Sequence, residues 1–280
     1  AISTVPCAIG PGNVLSATIS VGTAGVSFQV VVDTGSPFLV LNNYQPPSSA
    51  VSAGWVDVWY GSATVETQLY WDTVTIGGAS SMTGVLAKTQ GYGIPGDGIL
   101  GVGNPAGIPP PRQSPWSIYF LKNLLAVRAI PSQSVGARLC SASSGQLSIG
   151  GVDPTLFTGS MSWTSMQTNL INEVSKAYVT VSSVNGQPVS PTLCSVDTGN
   201  TGIFLPSEWG TVDTIGLIDL NNQEFTIAPP PTQGAFGGAG SECVLGVEML
   251  YKYYIVWDSS NMQIGFASPN CGSAVLTADE

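Results

Sequence analysis

The sequence predicts an all-β protein built from two homologous lobes. Three observations predict it: short stretches rich in Val, Ile, Thr and aromatic residues alternate with turn residues, Gly and Pro are frequent, and one motif recurs. Of the 280 residues, 43% are hydrophobic and only 9% are charged, with 34 Gly and 20 Pro. This composition excludes coiled coils and long solvated helices, and the spread of apolar residues excludes a disordered chain.

The strand predictions rest on β-branched and aromatic runs that are bounded by turn residues. The clearest strands are residues 26–32, 65–76, 147–149, 178–184, 224–227 and 254–266. Asn185-Gly186 predicts a tight hairpin turn. Helix is scarce, with residues 116–126 as the best candidate and one short turn within residues 206–212.

A five-residue motif occurs once in each half of the chain, which indicates an internal duplication. The two copies are Val31-Val32-Asp33-Thr34-Gly35 and Ser195-Val196-Asp197-Thr198-Gly199. Each copy is followed by two apolar residues and a glycine, first Ile99-Leu100-Gly101 and then Val244-Leu245-Gly246. We therefore predict an N-terminal lobe over residues 1–152 and a C-terminal lobe over residues 153–280.

Charge and composition exclude several classes of function. Seven basic residues stand against seventeen acidic ones, a net charge of −10, which disfavours nucleic acid and anionic membranes as partners. The chain contains no His, so Ser-His and Cys-His couples and His-ligated metals are excluded. So few bases also limit cationic self-repulsion in acid, as in an acid-tolerant secreted protein, although a plain acidic surface explains the same count.

The five cysteines are isolated from one another in the sequence, and none forms a C-x-x-C pair. They are Cys7, Cys140, Cys194, Cys243 and Cys271. This spacing disfavours a zinc site, and we expect neither a metal nor another cofactor. One or two disulfides are expected if the protein is exported. At least one cysteine then stays unpaired, and the sequence leaves the pairing open.

The repeated Asp-Thr-Gly motif supplies the candidate chemistry. Each copy follows an apolar strand, and its glycine permits a tight turn that exposes the aspartate at the strand end. If the lobes pack about a two-fold axis, Asp33 and Asp197 face each other and share a proton, because two such close carboxylates cannot both ionise cheaply. One then acts as a base toward water and the other as an acid. The alternative is a pair of structural Asp turns in a duplicated β protein.

Several further segments, together spanning residues 14–267, carry a family resemblance. They are Val32-Asp33-Thr34-Gly35-Ser36, Tyr60-Gly61-Ser62, Tyr70-Trp71-Asp72-Thr73-Val74, Asp97-Gly98-Ile99-Leu100-Gly101, Val196-Asp197-Thr198-Gly199, Val244-Leu245-Gly246, Tyr253-Tyr254-Ile255-Val256-Trp257-Asp258 and Gln263-Ile264-Gly265-Phe266-Ala267. In these segments the chain resembles the pepsin-like aspartic proteases. The resemblance implies a bilobal fold of two β-barrel-like lobes, related by a pseudo-two-fold axis, with a cleft between them.

The resemblance also implies roles for particular residues. Asp33 and Asp197 are expected to hold the attacking water, with Asp33 protonated and Asp197 as the base. The expected supporting residues are Thr34 and Thr198 across the lobe interface, the amides at Gly35 and Gly199, and Ser36 on Asp33. The residues expected on a flap over the substrate are Tyr60, Gly61 and Ser62.

Two residues depart from the family pattern. Asn200 stands where the family has Ser or Thr, so either its amide or the Thr201 hydroxyl is expected to support Asp197. Val40 replaces a tryptophan that bonds the flap tyrosine. Both lobes are also short, which predicts trimmed loops and a missing helix, chiefly in the second lobe, and a more open cleft.

The resulting prediction is a secreted, monomeric acid endopeptidase, and by resemblance the small second lobe suggests a fungal or microbial form. It cleaves an extended polypeptide without a covalent intermediate and is expected to bind pepstatin-type inhibitors. Two alternatives remain at this point. Asn200, Val40 and the short second lobe favour a catalytically inactive pepsin-fold protein used for binding or inhibition. A carbohydrate-binding or structural β protein explains the composition but not the repeat.

Overall fold

The computed structural model describes residues 1–48, 50–60, 63–91, 93–104, 117–171, 174–230 and 243–272. Within them β-strands dominate. The strands of the first half are β1 (Ser3–Ile9), β2 (Leu15–Val21), β3 (Val26–Asp33), β4 (Leu39–Leu41), β5 (Val51–Tyr60), β6 (Ala63–Ile76), β7 (Ala79–Gly91), β8 (Gly98–Gly101), β9 (Ser134–Ser141) and β10 (Ser144–Ile149).

The second half continues with shorter strands and a few helical turns. Its strands are β11 (Phe157–Ser165), β12 (Gln167–Ile171), β13 (Val174–Val184), β14 (Gln187–Val196), β15 (Ile203–Phe204), β16 (Ile215–Ile218), β17 (Glu224–Ile227), β18 (Cys243–Leu245), β19 (Tyr254–Asp258) and β20 (Gln263–Pro269). The α-helix α1 spans Phe120–Ala126. The 3-10 turns are Pro154–Leu156, Ser207–Trp209 and Val247–Tyr251.

The strands form two sheets, which gives the bilobal all-β architecture that the sequence predicts. A 13-stranded sheet has the order β11-β20-β19-β9-β10-β1-β2-β3-β8-β4-β7-β6-β5. An additional pairing of β2 with β6 closes its middle strands into a barrel. A 7-stranded sheet has the order β15-β18-β14-β13-β16-β17, with β12 on β13. The larger sheet also contains strands beyond residue 153, so the lobe boundary at 152/153 stays a prediction.

Burial explains which residues form the central strands. The last residues of β3 and β14 and all of β8 and β18 are buried, as expected for parallel pairs in the middle of a sheet. One large cluster of buried apolar residues includes Val32 and Leu100 together with Val196 and Leu245. Both duplicated strand pairs are therefore anchored in the core.

Most of the predicted strands are confirmed, and one is wrong. Residues 26–32, 65–76, 147–149, 178–184 and 224–227 all lie within strands. Residues 254–266 instead form the antiparallel pair β19 and β20. The turn between them is stabilised by the Asp258 carboxylate, which accepts hydrogen bonds from the Asn261 backbone amide and side chain and from the Gln263 side-chain amide.

The helix and turn predictions are partly correct. Of the predicted helix at 116–126, residue 116 lies outside the described residues and α1 begins only at Phe120. The side-chain Oδ1 of Asn123 accepts from the Ser117 backbone amide, and Tyr119 forms a β-bridge with Phe38, so the chain just before Phe120 is not helical. Asn185 and Gly186 adopt positive φ values of 50° and 71° in the tight turn between β13 and β14.

Four of the five cysteines form two disulfides, Cys140–Cys271 and Cys194–Cys243, and Cys7 is a buried free thiol. This agrees with the expected one or two bridges and resolves the pairing that the sequence left open. In the described part of the chain, no helix has the length and apolar character needed to cross a bilayer.

Candidate active site

Two equivalent pairs of parallel strands position the two aspartates next to each other. Strand β3 pairs with β8 and places Asp33 opposite Gly101. Strand β14 pairs with β18 and places Val196 opposite Leu245, one residue before Asp197. The apolar-Gly triplets that follow each motif in the sequence are therefore the neighbours of the aspartate strands. The Asp197 amide donates to the Leu245 carbonyl at 3.0 Å.

The two Asp-Thr-Gly loops are joined by reciprocal hydrogen bonds between their threonines. The Thr34 amide donates to the Thr198 hydroxyl at 3.1 Å, and the Thr198 amide donates to the Thr34 hydroxyl at 3.0 Å. Each hydroxyl then donates to a carbonyl of the other loop, Thr34 to Val196 at 3.1 Å and Thr198 to Val32 at 2.6 Å. Because all of these groups are buried, the network fixes one loop relative to the other.

Close approach of the loops explains the glycine in each motif. A Cβ built on Gly35 would lie 2.5 Å from Oδ2 of Asp197, and one built on Gly199 would lie 2.6 Å from Oδ1 of Asp33. A side chain at either position would push one carboxylate away from the other. The absence of a side chain at Gly35 and Gly199 therefore allows the two carboxylates, Asp33 and Asp197, to approach each other.

Each carboxylate also accepts two hydrogen bonds from its own loop. Asp33 accepts from the Gly35 amide at 2.7 Å and from the Ser36 hydroxyl at 2.6 Å. Asp197 accepts from the Gly199 amide at 2.8 Å and from the Asn200 side-chain amide at 2.9 Å. Asn200 therefore occupies the position that Ser36 has in the first loop.

The environment of Asp33 favours its protonated form. Burial and then the negative charge of Asp197 raise the pKa of Asp33 to about 7, although the hydrogen bonds from Ser36 and Gly35 act in the opposite direction. Both aspartates are at least nine-tenths buried, with 7% and 5% of their surfaces exposed. Such a pair can hold a single proton between its members across mildly acidic pH.

Tyr60 lies at the end of β5, in the hairpin that β5 forms with β6. Its hydroxyl is buried and has no hydrogen-bond partner in the described part of the chain. Burial and then the nearby Asp33 carboxylate raise the pKa of Tyr60, and the neighbouring Ser36 hydroxyl acts in the opposite direction. The ring packs against an apolar cluster that includes the fully buried Val40, so apolar contact replaces the bond expected from a tryptophan at that position.

The remaining predicted site residues are less informative. Gly61 and Ser62, predicted on the flap, lie outside the described residues. Thr201 is exposed, and none of the hydrogen bonds found in the described part of the chain joins it to Asp197. Within the same residues no cluster of three or more His, Cys, Asp or Glu side chains could hold a metal ion.

Sequence reasoning missed two features beside the second loop. The buried Trp257 indole donates to the Val196 carbonyl at 2.9 Å. The Cys194–Cys243 disulfide joins the Asp197 strand to its parallel neighbour. The residue types gave no local signal, because each contact joins positions that lie far apart in the sequence.

Comparisons with known proteins agree with this geometry. The family model described as eukaryotic aspartyl protease matches residues 15–215. Pepsin-2B of Gadus morhua is 27% identical, over 89% of this chain and 94% of that protein. Polyporopepsin of Irpex lacteus is 26% identical, over 91% of this chain and 94% of that protein. The crystal structure of an aspartic proteinase from Irpex lacteus has the same fold, with a TM-score of 0.76 at 21% identity, covering 98% of this chain and 99% of that one.

The family match covers both Asp-Thr-Gly loops and the strands that carry them. The fold, including its second sheet, agrees with that of a solved aspartic proteinase along nearly the whole chain. The chain therefore belongs to the eukaryotic aspartyl protease family and is a pepsin-like aspartic endopeptidase.

Proposed function

We propose that the protein is a secreted acid endopeptidase in which Asp33 and Asp197 jointly activate the water that hydrolyses an internal peptide bond. The observation that carries the proposal is the buried pair of carboxylates, which two interlocked loops hold in contact. The raised pKa of Asp33, about 7, supports the assignment of one shared proton. Acid activity follows, because the pair loses that proton as the pH rises.

In the proposed mechanism Asp33 begins protonated and Asp197 begins ionised. Asp197 accepts a proton from water while the water oxygen attacks the scissile carbonyl carbon, and Asp33 gives its proton to the carbonyl oxygen. The product of this step is a neutral gem-diol, so no covalent bond to the enzyme forms. Asp197 then protonates the leaving nitrogen, Asp33 takes a proton from a diol hydroxyl, and the C–N bond breaks. The starting protonation states are restored.

The supporting groups hold the carboxylates for this chemistry. The amides of Gly35 and Gly199 and the side chains of Ser36 and Asn200 each donate to one carboxylate oxygen, which orients the pair toward a shared water. Thr34 and Thr198 limit the relative motion of the loops, and Thr201 is left with at most an indirect part. These donors exist before substrate binds, so little reorganisation is needed at the moment of reaction.

The substrate class follows from the family and the fold. An extended polypeptide in the cleft between the lobes would be covered by the β5–β6 hairpin. Tyr60, Gly61 and Ser62 are proposed to form its substrate-facing tip. The unpaired Tyr60 hydroxyl beside Asp33 supports this assignment, since a buried donor without a partner is costly unless a ligand satisfies it. Pepstatin-type inhibitors should occupy the same cleft.

Secretion and a monomeric state complete the proposal. Two disulfides support an oxidising compartment, because cytosolic thiols are kept reduced. The low content of basic residues supports tolerance of acid. We also propose that the lobes divide at residues 152 and 153. The inactive alternative loses two of its three motives, because Asn200 bonds Asp197 and Tyr60 packs against the apolar cluster that contains Val40. The short second lobe is its third motive.

The test is digestion of an acid-denatured protein by the wild type, Asp33→Asn and Asp197→Asn. Each substitution should lower the cleavage rate by about a thousandfold, since each removes the acid or the base. Asp213→Asn is the matched control, because Asp213 is exposed and lies on the connection before β16. A pepstatin-type inhibitor should abolish wild-type cleavage. Undiminished cleavage by either active-site variant would refute the mechanism.

A further inference from the structure

The two aspartate loops are alike, but the strand pairs behind them differ in one covalent feature. In β14 and β18 the paired residues Cys194 and Cys243 form a disulfide. The matching pair in β3 and β8 is Val30 and Gly98, which has no cross-link. Cys194 lies three residues before Asp197, and Cys243 lies two residues before Leu245, whose carbonyl accepts the Asp197 amide. The cross-link thus fixes the two strands whose ends hold Asp197.

A second difference lies at the Val196 carbonyl. This carbonyl accepts from the Thr34 hydroxyl and also from the Trp257 indole of β19. The equivalent Val32 carbonyl accepts from the Thr198 hydroxyl, and no other side chain of the described chain donates to it. Trp257 is 3% exposed, so its bond is shielded from water. The second loop is therefore tied to the 13-stranded sheet as well as to the first loop.

The surrounding sheet explains why the second loop needs these ties. Behind the first loop, β8 pairs with β4, and β4 pairs in turn with β7, so the aspartate strand lies deep within the barrel. Behind the second loop, β18 pairs with β15, which has only two residues and ends its sheet in the described part of the chain. Without further support, β18 is held by few backbone hydrogen bonds.

We propose that the Cys194–Cys243 disulfide and Trp257 are positioning elements for Asp197, and that they replace the sheet support that the first loop has. The inference rests on the proposed function, because it assigns Asp197 a reacting role. Cys194 is fully buried and Cys243 and Trp257 are each 3% exposed, so we expect none of them to touch substrate. Their loss should misplace a reacting carboxylate without changing the substrate subsites. The expected signature is a fall in kcat with little change in KM.

The experiment compares the full-length variants Cys194→Ala/Cys243→Ala and Trp257→Phe with the wild type on one peptide substrate at acid pH. Each should lower kcat by about tenfold or more while KM stays within about twofold, because small displacements of a reacting group cost rate rather than binding. Thermal melts at the same pH establish that each variant is folded at the assay temperature. If the double variant does not fold, Trp257→Phe carries the test alone.

Cys140→Ala/Cys271→Ala is the matched control, since it removes the other disulfide and the same number of sulfur atoms. The Cys140–Cys271 bridge joins residues that are 131 positions apart, whereas Cys194 and Cys243 are 49 positions apart. Because a longer loop is closed, removing Cys140–Cys271 should lower thermal stability at least as much as removing Cys194–Cys243. Its kcat should nevertheless stay within about twofold of the wild type. If kcat falls in both double variants, in proportion to the thermal stability that each has lost, the proposal is overturned.

An Asp197→Asn arm separates this inference from the proposed function. If Asp197→Asn remains active, the proposed function fails. If Asp197→Asn is inactive but Trp257→Phe and the folded Cys194/Cys243 double variant keep the wild-type kcat, the positioning role alone is wrong. Loss of kcat in both variants at unchanged KM, beside an active control, supports the proposal.

Discussion

At the scale of single residues, the two aspartates are chemically distinct although their loops are alike. Asp33 is supported by a hydroxyl from Ser36, and Asp197 by an amide from Asn200. Burial and the charge of Asp197 raise the pKa of Asp33 to about 7, and the Ser36 hydrogen bond opposes them. Ser36 therefore lowers the pH up to which the pair keeps its proton, against the larger effects of burial and Asp197.

Ser36→Ala should move the alkaline limb of the kcat/KM profile to higher pH by about one unit, because the ionised Asp33 loses a charge-assisted hydrogen bond. Rates of peptide cleavage across the pH range measure the limb. Ser36→Thr keeps the hydroxyl and should leave the limb near its wild-type position. A limb that stays fixed or moves to lower pH in Ser36→Ala would show that Ser36 does not act on the ionised form.

Asn200→Ala should lower kcat by about tenfold to a hundredfold, because Asp197 loses the donor that orients its outer oxygen. Asn200→Ser copies the first loop and should recover most of the rate. Steady-state kinetics on one peptide measure both variants. Wild-type kcat in Asn200→Ala would mean that Thr201 or solvent replaces the amide without loss.

At the scale of the elements, the two threonine amides make equivalent hydrogen bonds, but the two carbonyls that the threonine hydroxyls bond do not have the same donors. If Thr34 loses its hydroxyl, the Val196 carbonyl keeps the Trp257 indole as a donor. If Thr198 loses its hydroxyl, no side chain of the described residues still donates to the Val32 carbonyl. A buried carbonyl that loses a hydrogen-bond donor costs free energy, so the two threonine hydroxyls contribute unequally to stability.

Thr198→Val should lower the free energy of unfolding by about 1 kcal/mol more than Thr34→Val does, since only the former leaves a carbonyl without a side-chain donor. Urea unfolding of both variants measures the difference. The double variant should lose less than the sum of the single losses, because the residues share one network. Equal costs, or a larger cost for Thr34→Val, would contradict the assigned role of Trp257.

Much of this element-level arrangement could be predicted from the sequence. The repeated motif predicted that Asp33 and Asp197 meet, and the triplets near residues 100 and 245 are the strands beside them. Contacts between distant strands could not be predicted. The disulfide pairing depends on strand register, and Trp257 reaches Val196 across 61 positions. The missed turn at Asp258 depends on side-chain acceptors that an apolar pattern does not reveal.

At the scale of the whole molecule, the raised pKa of Asp33 links stability to pH. The folded protein binds the Asp33 proton more tightly than the unfolded chain, whose carboxyl has its ordinary pKa of 3.8. This contribution is fully present below about pH 4 and is lost as the pH rises toward 7. Acid activity and acid stability thus share one cause.

Asp33→Asn should flatten the pH dependence of stability between pH 4 and pH 7, because the amide cannot ionise. Over this interval the wild type should lose on the order of 1 kcal/mol more for each pH unit than the variant does. Urea unfolding at several pH values measures both slopes, and the carboxyl groups remote from Asp33 and Asp197 cancel in the comparison. Parallel slopes would show that Asp33 has an ordinary pKa.

The most direct test of the shared proton is a ¹³C NMR titration of the aspartate carboxyl carbons, with Asp33→Asn and Asp197→Asn used for assignment. We expect the Asp33 carboxyl to stay protonated beyond the ordinary range and to ionise near pH 7. Its titration should shift to lower pH when Asp197 is made neutral. If both carboxyl groups instead titrate independently near pH 4, they do not share a proton and the account is contradicted.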